Sequence, residues 1–198
     1  MSTKYFITAV LFAAAGLIMG FTSTENLASD HKTDAVSPEM SSDSKPDQFR
    51  SAMDRLWEEH IEWTRNVILC LTDQLQGTDQ AVKRLLQNQV DIGNAVKPFY
   101  GDAAGEKLTA LLKQHIIIAA DVVTAAKNGD SGKLDEANKK WYANADEISQ
   151  FLSGANPGWK LAEMKMMMET HLKLTTDEAV ARIHKDFDAD IAAYNNVQ

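Results

Sequence analysis

Three histidines recur in this chain in one local setting. They lie in Leu56-Trp57-Glu58-Glu59-His60-Ile61-Glu62-Trp63-Thr64, Leu111-Leu112-Lys113-Gln114-His115-Ile116-Ile117-Ile118-Ala119 and Met167-Met168-Glu169-Thr170-His171-Leu172-Lys173-Leu174-Thr175, at intervals of 55 and 56 residues. Each has two large apolar residues at −4 and −3, Ile or Leu at +1 and a small residue at +4. An asparagine follows the first two histidines by 28 and 29 residues, and each asparagine begins an Asn-x-x-acid motif: Asn88 with Asp91, and Asn144 with Glu147. At about 100° per residue, every one of these histidines falls at the centre of an apolar helical stripe.

A buried polar group without a partner costs about 1–3 kcal/mol, a large share of a domain's net stability of roughly 5–15 kcal/mol. Three inward imidazoles therefore need partners, and two kinds are available. One is a transition metal held by His60, His115 and His171, with Asn88, Asp91, Asn144 and Glu147 as further ligands or supporting groups; an imidazole-rich, thiolate-poor set suits Zn, Cu, Ni or Fe. The other is a His–Asn–carboxylate hydrogen-bond network that fixes helix register in a non-catalytic structural or interaction bundle. The metal site is the reading taken forward. A metalloenzyme ranks third, because an open metal site with a nearby Glu could hydrolyse or oxidise, but no Gly-rich phosphate loop, Cys-x-x-Cys-His haem site or Glu-x-x-His di-iron motif is present. Met164, Met167 and Met168 fall on the core stripe and read as packing. Glu178 reads as a stripe residue or as the acid of a Thr175-Thr176-Asp177-Glu178 capping box. Arg65, Asp121 and Asp177 point away from the stripe centres and are expected in surface pairs.

Helices must position these groups. From Asp47 onward apolar residues recur with a 3.6-residue period, and no stretch alternates with period two. The pattern predicts helices over about 47–75, 78–99 (capped by Thr78, broken near Gly93 and stopped around Pro98), 104–127, 132–152, and from 160 onward with a restart at Thr175. The expected fold is all-α: an up-and-down bundle over 47–198, built from repeated helical hairpins. A third asparagine would fall just past the last residue, so the final repeat is expected to be incomplete.

The N-terminus has Lys4 and then an apolar run from Tyr5 to Phe21, the n-region and h-region of an export signal. Residues 1–24 are expected to form a signal peptide or N-terminal anchor, and 25–46, rich in Ser, Asp and Thr with two prolines, a disordered linker. Localisation is then extracytoplasmic, periplasmic or secreted. A net charge of −8 argues against nucleic acid and anionic membrane as partners. Membrane contact is expected only through an uncleaved N-terminus, and no feature specifies a protein partner. The single cysteine, Cys70, lies in the apolar run Val67–Leu71 and reads as core filling.

The run from Leu56 to Asn195 resembles a widespread bacterial family of exported helical-bundle proteins. The resemblance rests on Leu56-Trp57-Glu58-Glu59-His60, Asn88-Gln89-Val90-Asp91-Ile92-Gly93, Lys97-Pro98-Phe99-Tyr100-Gly101, Gln114-His115-Ile116-Ile117-Ile118-Ala119-Ala120-Asp121, Asn144-Ala145-Asp146-Glu147-Ile148 and His171-Leu172. Similar proteins sometimes bear the names glycosyltransferase or acetylglutamate kinase. Those activities use α/β nucleotide-binding folds, whereas this chain shows no strand pattern. What the resemblance implies is therefore a helical fold, export, and a further helical stretch beyond the third histidine.

Overall fold

The computed structural model describes residues 45–197. The signal segment and all but the last two residues of the linker lie outside the described residues. Six helices follow in order: α1 Lys45–Asp73, α2 Thr78–Tyr100, α3 Asp102–Lys127, α4 Ser131–Ala155, α5 Leu161–Ile183 and α6 Phe187–Val197. They run up and down, each packed mainly on its chain neighbours, with α3 also touching α1 and α5. The short connections enforce this order, since a turn of a few residues leaves the next helix antiparallel and adjacent. α3 is long and apolar enough to cross a membrane by composition, but half of its most apolar window is buried within the bundle. It is the central core helix.

Local chemistry explains the ends. α1 stops where Gln74 adopts a positive φ of 56°, and Gly77 follows at 89°. Thr78 is not a side-chain cap: its hydroxyl donates to the Leu75 carbonyl, and Gly77 holds the cap position. α4 begins under Asp130, whose carboxylate accepts from the Lys133 amide at 3.0 Å.

Two expected interruptions do not occur. α2 continues through Gly93 and carries Pro98 within its last turn. Gly93 instead lets α2 and α3 approach closely. A Cβ built on it would meet the Gly105 carbonyl oxygen at 2.6 Å, and one on Gly105 would meet the Gly93 carbonyl oxygen at 2.5 Å. α5 likewise passes through Thr175, whose hydroxyl donates to the His171 carbonyl within the helix.

Apolar layers lie on either side of the histidines. Met53, Leu56, Ile92, Val96, Leu108, Leu111, Leu112 and Ile148 form the layer toward the start of α1. Val67, Leu85 and Ile116 form one beyond, with Cys70 partly buried against it. Each fully buried aliphatic side chain contributes about 1.5–3 kcal/mol.

A second buried feature ties α6 to the bundle. Arg65 donates to Glu178 at 2.8 Å and to Asp190, including Nη2 to Oδ2 at 2.9 Å. Glu178 is 2 % exposed and Asp190 is fully buried. Arg65 and Glu178 therefore do not sit in the surface pair or capping box expected of them. Arg182 extends the network to Asp190 and Asp73. Burial pushes the Glu178 carboxyl up, with Arg65 opposing. At Asp190 burial also pushes up, and Arg65 and Arg182 together reverse it.

Candidate functional site

His60, His115 and His171 lie near the middle of α1, α3 and α5, where the up-and-down topology brings them to one depth. The rings of His115 and His171 have centroids 5.9 Å apart, and those of His60 and His171 6.3 Å apart. The inward face predicted by the 3.6 period and the shared layer are both present. His171 lies between the other two.

The partners differ from ring to ring, and they fix the tautomers. Asn144 donates its Nδ2 to the Leu111 carbonyl at 3.2 Å, which leaves its Oδ1 facing His115 Nδ1 at 2.8 Å. Nδ1 of His115 must therefore be the protonated nitrogen. Its Nε2 accepts from the Trp141 indole N–H at 3.1 Å, so both nitrogens are engaged. On the other side, Asn88 donates to the Leu56 carbonyl at 2.9 Å. The Gln89 amide nitrogen donates to the Leu85 carbonyl at 2.8 Å and to Asn88 Oδ1 at 3.0 Å, and it faces His60 Nδ1 at 3.2 Å. An NH₂ group offers no lone pair, so His60 Nδ1 carries none of the proton and Nε2 carries it. Nδ1 of His171 is buried without a hydrogen-bond partner.

Burial keeps the three rings neutral. Desolvation lowers His60 and His115 to about 3, reinforced by the neighbouring His171, and lowers His171 to about 4. A charged imidazole would lose its hydration and face a second ring of the same kind.

The carboxylates do not reach this layer. Asp91 accepts from Gln87 on the outer face of α2. Glu147 is exposed on α4, and Asp146 beside it pairs with Lys165 at 2.9 Å. So the structure gathers His60, His115, His171, Asn88 and Asn144, and leaves Asp91 and Glu147 outside. Among the described residues, no group of three or more His, Cys, Asp or Glu side chains is arranged to hold a metal ion. The rings are close, but their nitrogens are turned to separate partners. Sequence reasoning missed Gln89 and Trp141. Trp141 stands one helical turn before Asn144 on the same face, which is the signal that would have found it.

Above the imidazoles lies a cavity of about 110 Å³. Its lining on each histidine-bearing helix ends at or one residue past the histidine: Phe49, Met53, Trp57, His60 and Ile61 on α1; Ala104, Leu108, Leu112 and His115 on α3; Met167, Met168 and His171 on α5. Val96, Tyr100, Ile148, Phe151, Leu152, Ala155, Trp159 and Val197 complete it. No Lys, Arg, Asp or Glu lines it. The Tyr100 hydroxyl is raised by burial and held by Asn156. Comparison with known proteins finds no family model, curated protein or solved structure that matches this chain.

Proposed function

We propose that this chain is an exported, non-catalytic binding bundle. In this reading His60 and His115 belong to a structural imidazole–amide layer, and His171 is the ring left to meet a ligand. One observation carries it: two of three clustered imidazoles are engaged by amides and an indole, while His171 Nδ1, between them, has no partner. The reading includes the repeated hairpin. It is supported by the same bond in both halves, from Asn88 to the Leu56 carbonyl and from Asn144 to the Leu111 carbonyl, each four residues before a histidine. Export rests on the signal-like N-terminus and on the family resemblance.

Near-isosteric replacement separates the roles. His115→Leu strands the Asn144 oxygen and the Trp141 N–H, and is expected to cost about 2–4 kcal/mol in urea unfolding. His171→Leu strands nothing and is expected to change stability by under about 1 kcal/mol. The opposite order of the two variants would refute the assignment.

A transition metal is the second reading, favoured by the ring separations. Imidazoles sharing one ion at metal–nitrogen distances of about 2.0–2.1 Å place their centroids roughly 5–6 Å apart. His171 with His60 or His115 would hold such an ion. The cost is that His60 must surrender its bond from Gln89, or His115 its bond from Trp141, to free a lone pair. Elemental analysis tests it: near one equivalent of Zn, Cu, Ni or Fe that vanishes in His171→Leu supports the metal, and metal-free protein whose melting is unmoved by these ions supports the structural layer.

A further inference from the structure

The cavity walls carry more polar atoms without partners than the histidine layer alone. The indole N–H groups of Trp57 and Trp159 and the Nδ1 of His171 are buried and make no hydrogen bond, and all three residues line the one cavity. Trp159 is 6 % exposed, so solvent is a poor substitute partner for it. An indole nitrogen can only donate. His60 lines the same cavity, and its Nδ1 faces the Gln89 amide, so the nitrogen at its other edge is also a donor. The wall is otherwise hydrocarbon or aromatic and holds no fixed charge.

These features select a ligand by chemistry. Donors without acceptors call for an acceptor-bearing molecule. A wall with no ionised side chain disfavours a charged one, because nothing repays its lost hydration. The volume of about 110 Å³ is several times the roughly 30 Å³ share of a water molecule and close to that of apolar protein cavities that take up a benzene-sized ring. We propose that this cavity binds an uncharged, ring-sized carbonyl compound, its oxygen accepting from the indole N–H groups of Trp57 and Trp159 and its polar end approaching His171. The proposal rests on the binding-protein reading above for His171, but its indole donors are independent of that residue.

Three near-isosteric probes test it by calorimetric titration of the purified protein: acetophenone, α-methylstyrene, in which CH₂ replaces the carbonyl oxygen, and benzoate, which adds a charge. Acetophenone is expected to bind at least about tenfold more tightly than either of the others, although α-methylstyrene is the more hydrophobic. Trp57→Phe and Trp159→Phe keep a ring in the wall and remove the donor. Each is expected to shrink the acetophenone preference, and the double variant to abolish it, with thermal melting confirming that the fold is kept. Binding of α-methylstyrene or benzoate as tight as that of acetophenone overturns the proposal. So does a preference that survives loss of both indole N–H groups, or no binding of acetophenone at all. Ala104→Phe, placed in the cavity wall, is expected to block acetophenone. Unchanged binding there moves the ligand elsewhere and refutes the site. His171→Leu separates the two ideas. A preference lost in the tryptophan variants but kept in His171→Leu sustains the carbonyl site and refutes the role assigned to His171.

Discussion

Asn144 bridges two elements through His115: its oxygen faces His115 Nδ1 at 2.8 Å while its amide donates to the Leu111 carbonyl one turn earlier on α3. One side chain thus sets both the tautomer of the imidazole and the register of α4 on α3. Asn144→Leu removes both bonds and leaves a buried N–H and a buried carbonyl unpaired. We expect a loss of about 2–5 kcal/mol in denaturant unfolding, and a smaller loss for Asn88→Leu, because Gln89 still faces His60. Equal losses would mean that the two halves are held alike.

Stability should depend on pH through the same rings. The three histidines titrate near 6.5 when unfolded and at about 3 to 4 when folded. Between these values the unfolded chain binds more protons, so stability is full above about pH 6.5 and falls as pH drops toward 4. The slope approaches about 1.4 kcal/mol per pH unit for each ring that stays neutral. Urea midpoints at pH 7.5, 6 and 5 check this. His115→Leu should flatten the dependence, and a wild-type profile level from 7.5 to 5 would contradict it.

Gly93 is fixed by contact rather than by backbone conformation. Any Cβ there meets the Gly105 carbonyl oxygen at 2.6 Å, and backbone cannot yield as a side-chain tip can. Gly93→Ala is expected to destabilise by about 2–4 kcal/mol, against the gain that alanine normally brings within a helix. A thermal melt at or above wild type would show that α2 and α3 can separate freely.

The ion network of Arg65, Glu178 and Asp190 should respond asymmetrically. Arg65→Met leaves two buried carboxylates without their cation and is expected to cost about 3–5 kcal/mol. Adding Glu178→Met and Asp190→Leu removes the stranded charges and should restore at least half of that loss. Amide exchange in α6 reports the same event locally, since Asp190 lies on that helix. Failure of the triple variant to recover would place the role of the network in packing.

The period of apolar residues, with the recurrence at 55 and 56 residues, was enough to set the number of helices, their order and the inward face of His60, His115 and His171. That information is local, because a helix's buried stripe is written in its own sequence. The same reasoning broke α2 at Gly93 and restarted α5 at Thr175, since a glycine or a capping motif reads alike whether it ends a helix or serves a close crossing or a core hydroxyl.

What only the tertiary structure decided was pairing. Asp91 and Glu147 sit one turn from their asparagines, yet a rotation of tens of degrees about the helix axis places them in solvent. Gln89 and Trp141 took the partnerships instead. Arg65 met Glu178 and Asp190 from far along the chain, and the tryptophans closed a cavity that no single helix outlines. Such contacts depend on crossing angle and helix rotation, quantities shared between helices and therefore carried by no one segment of sequence.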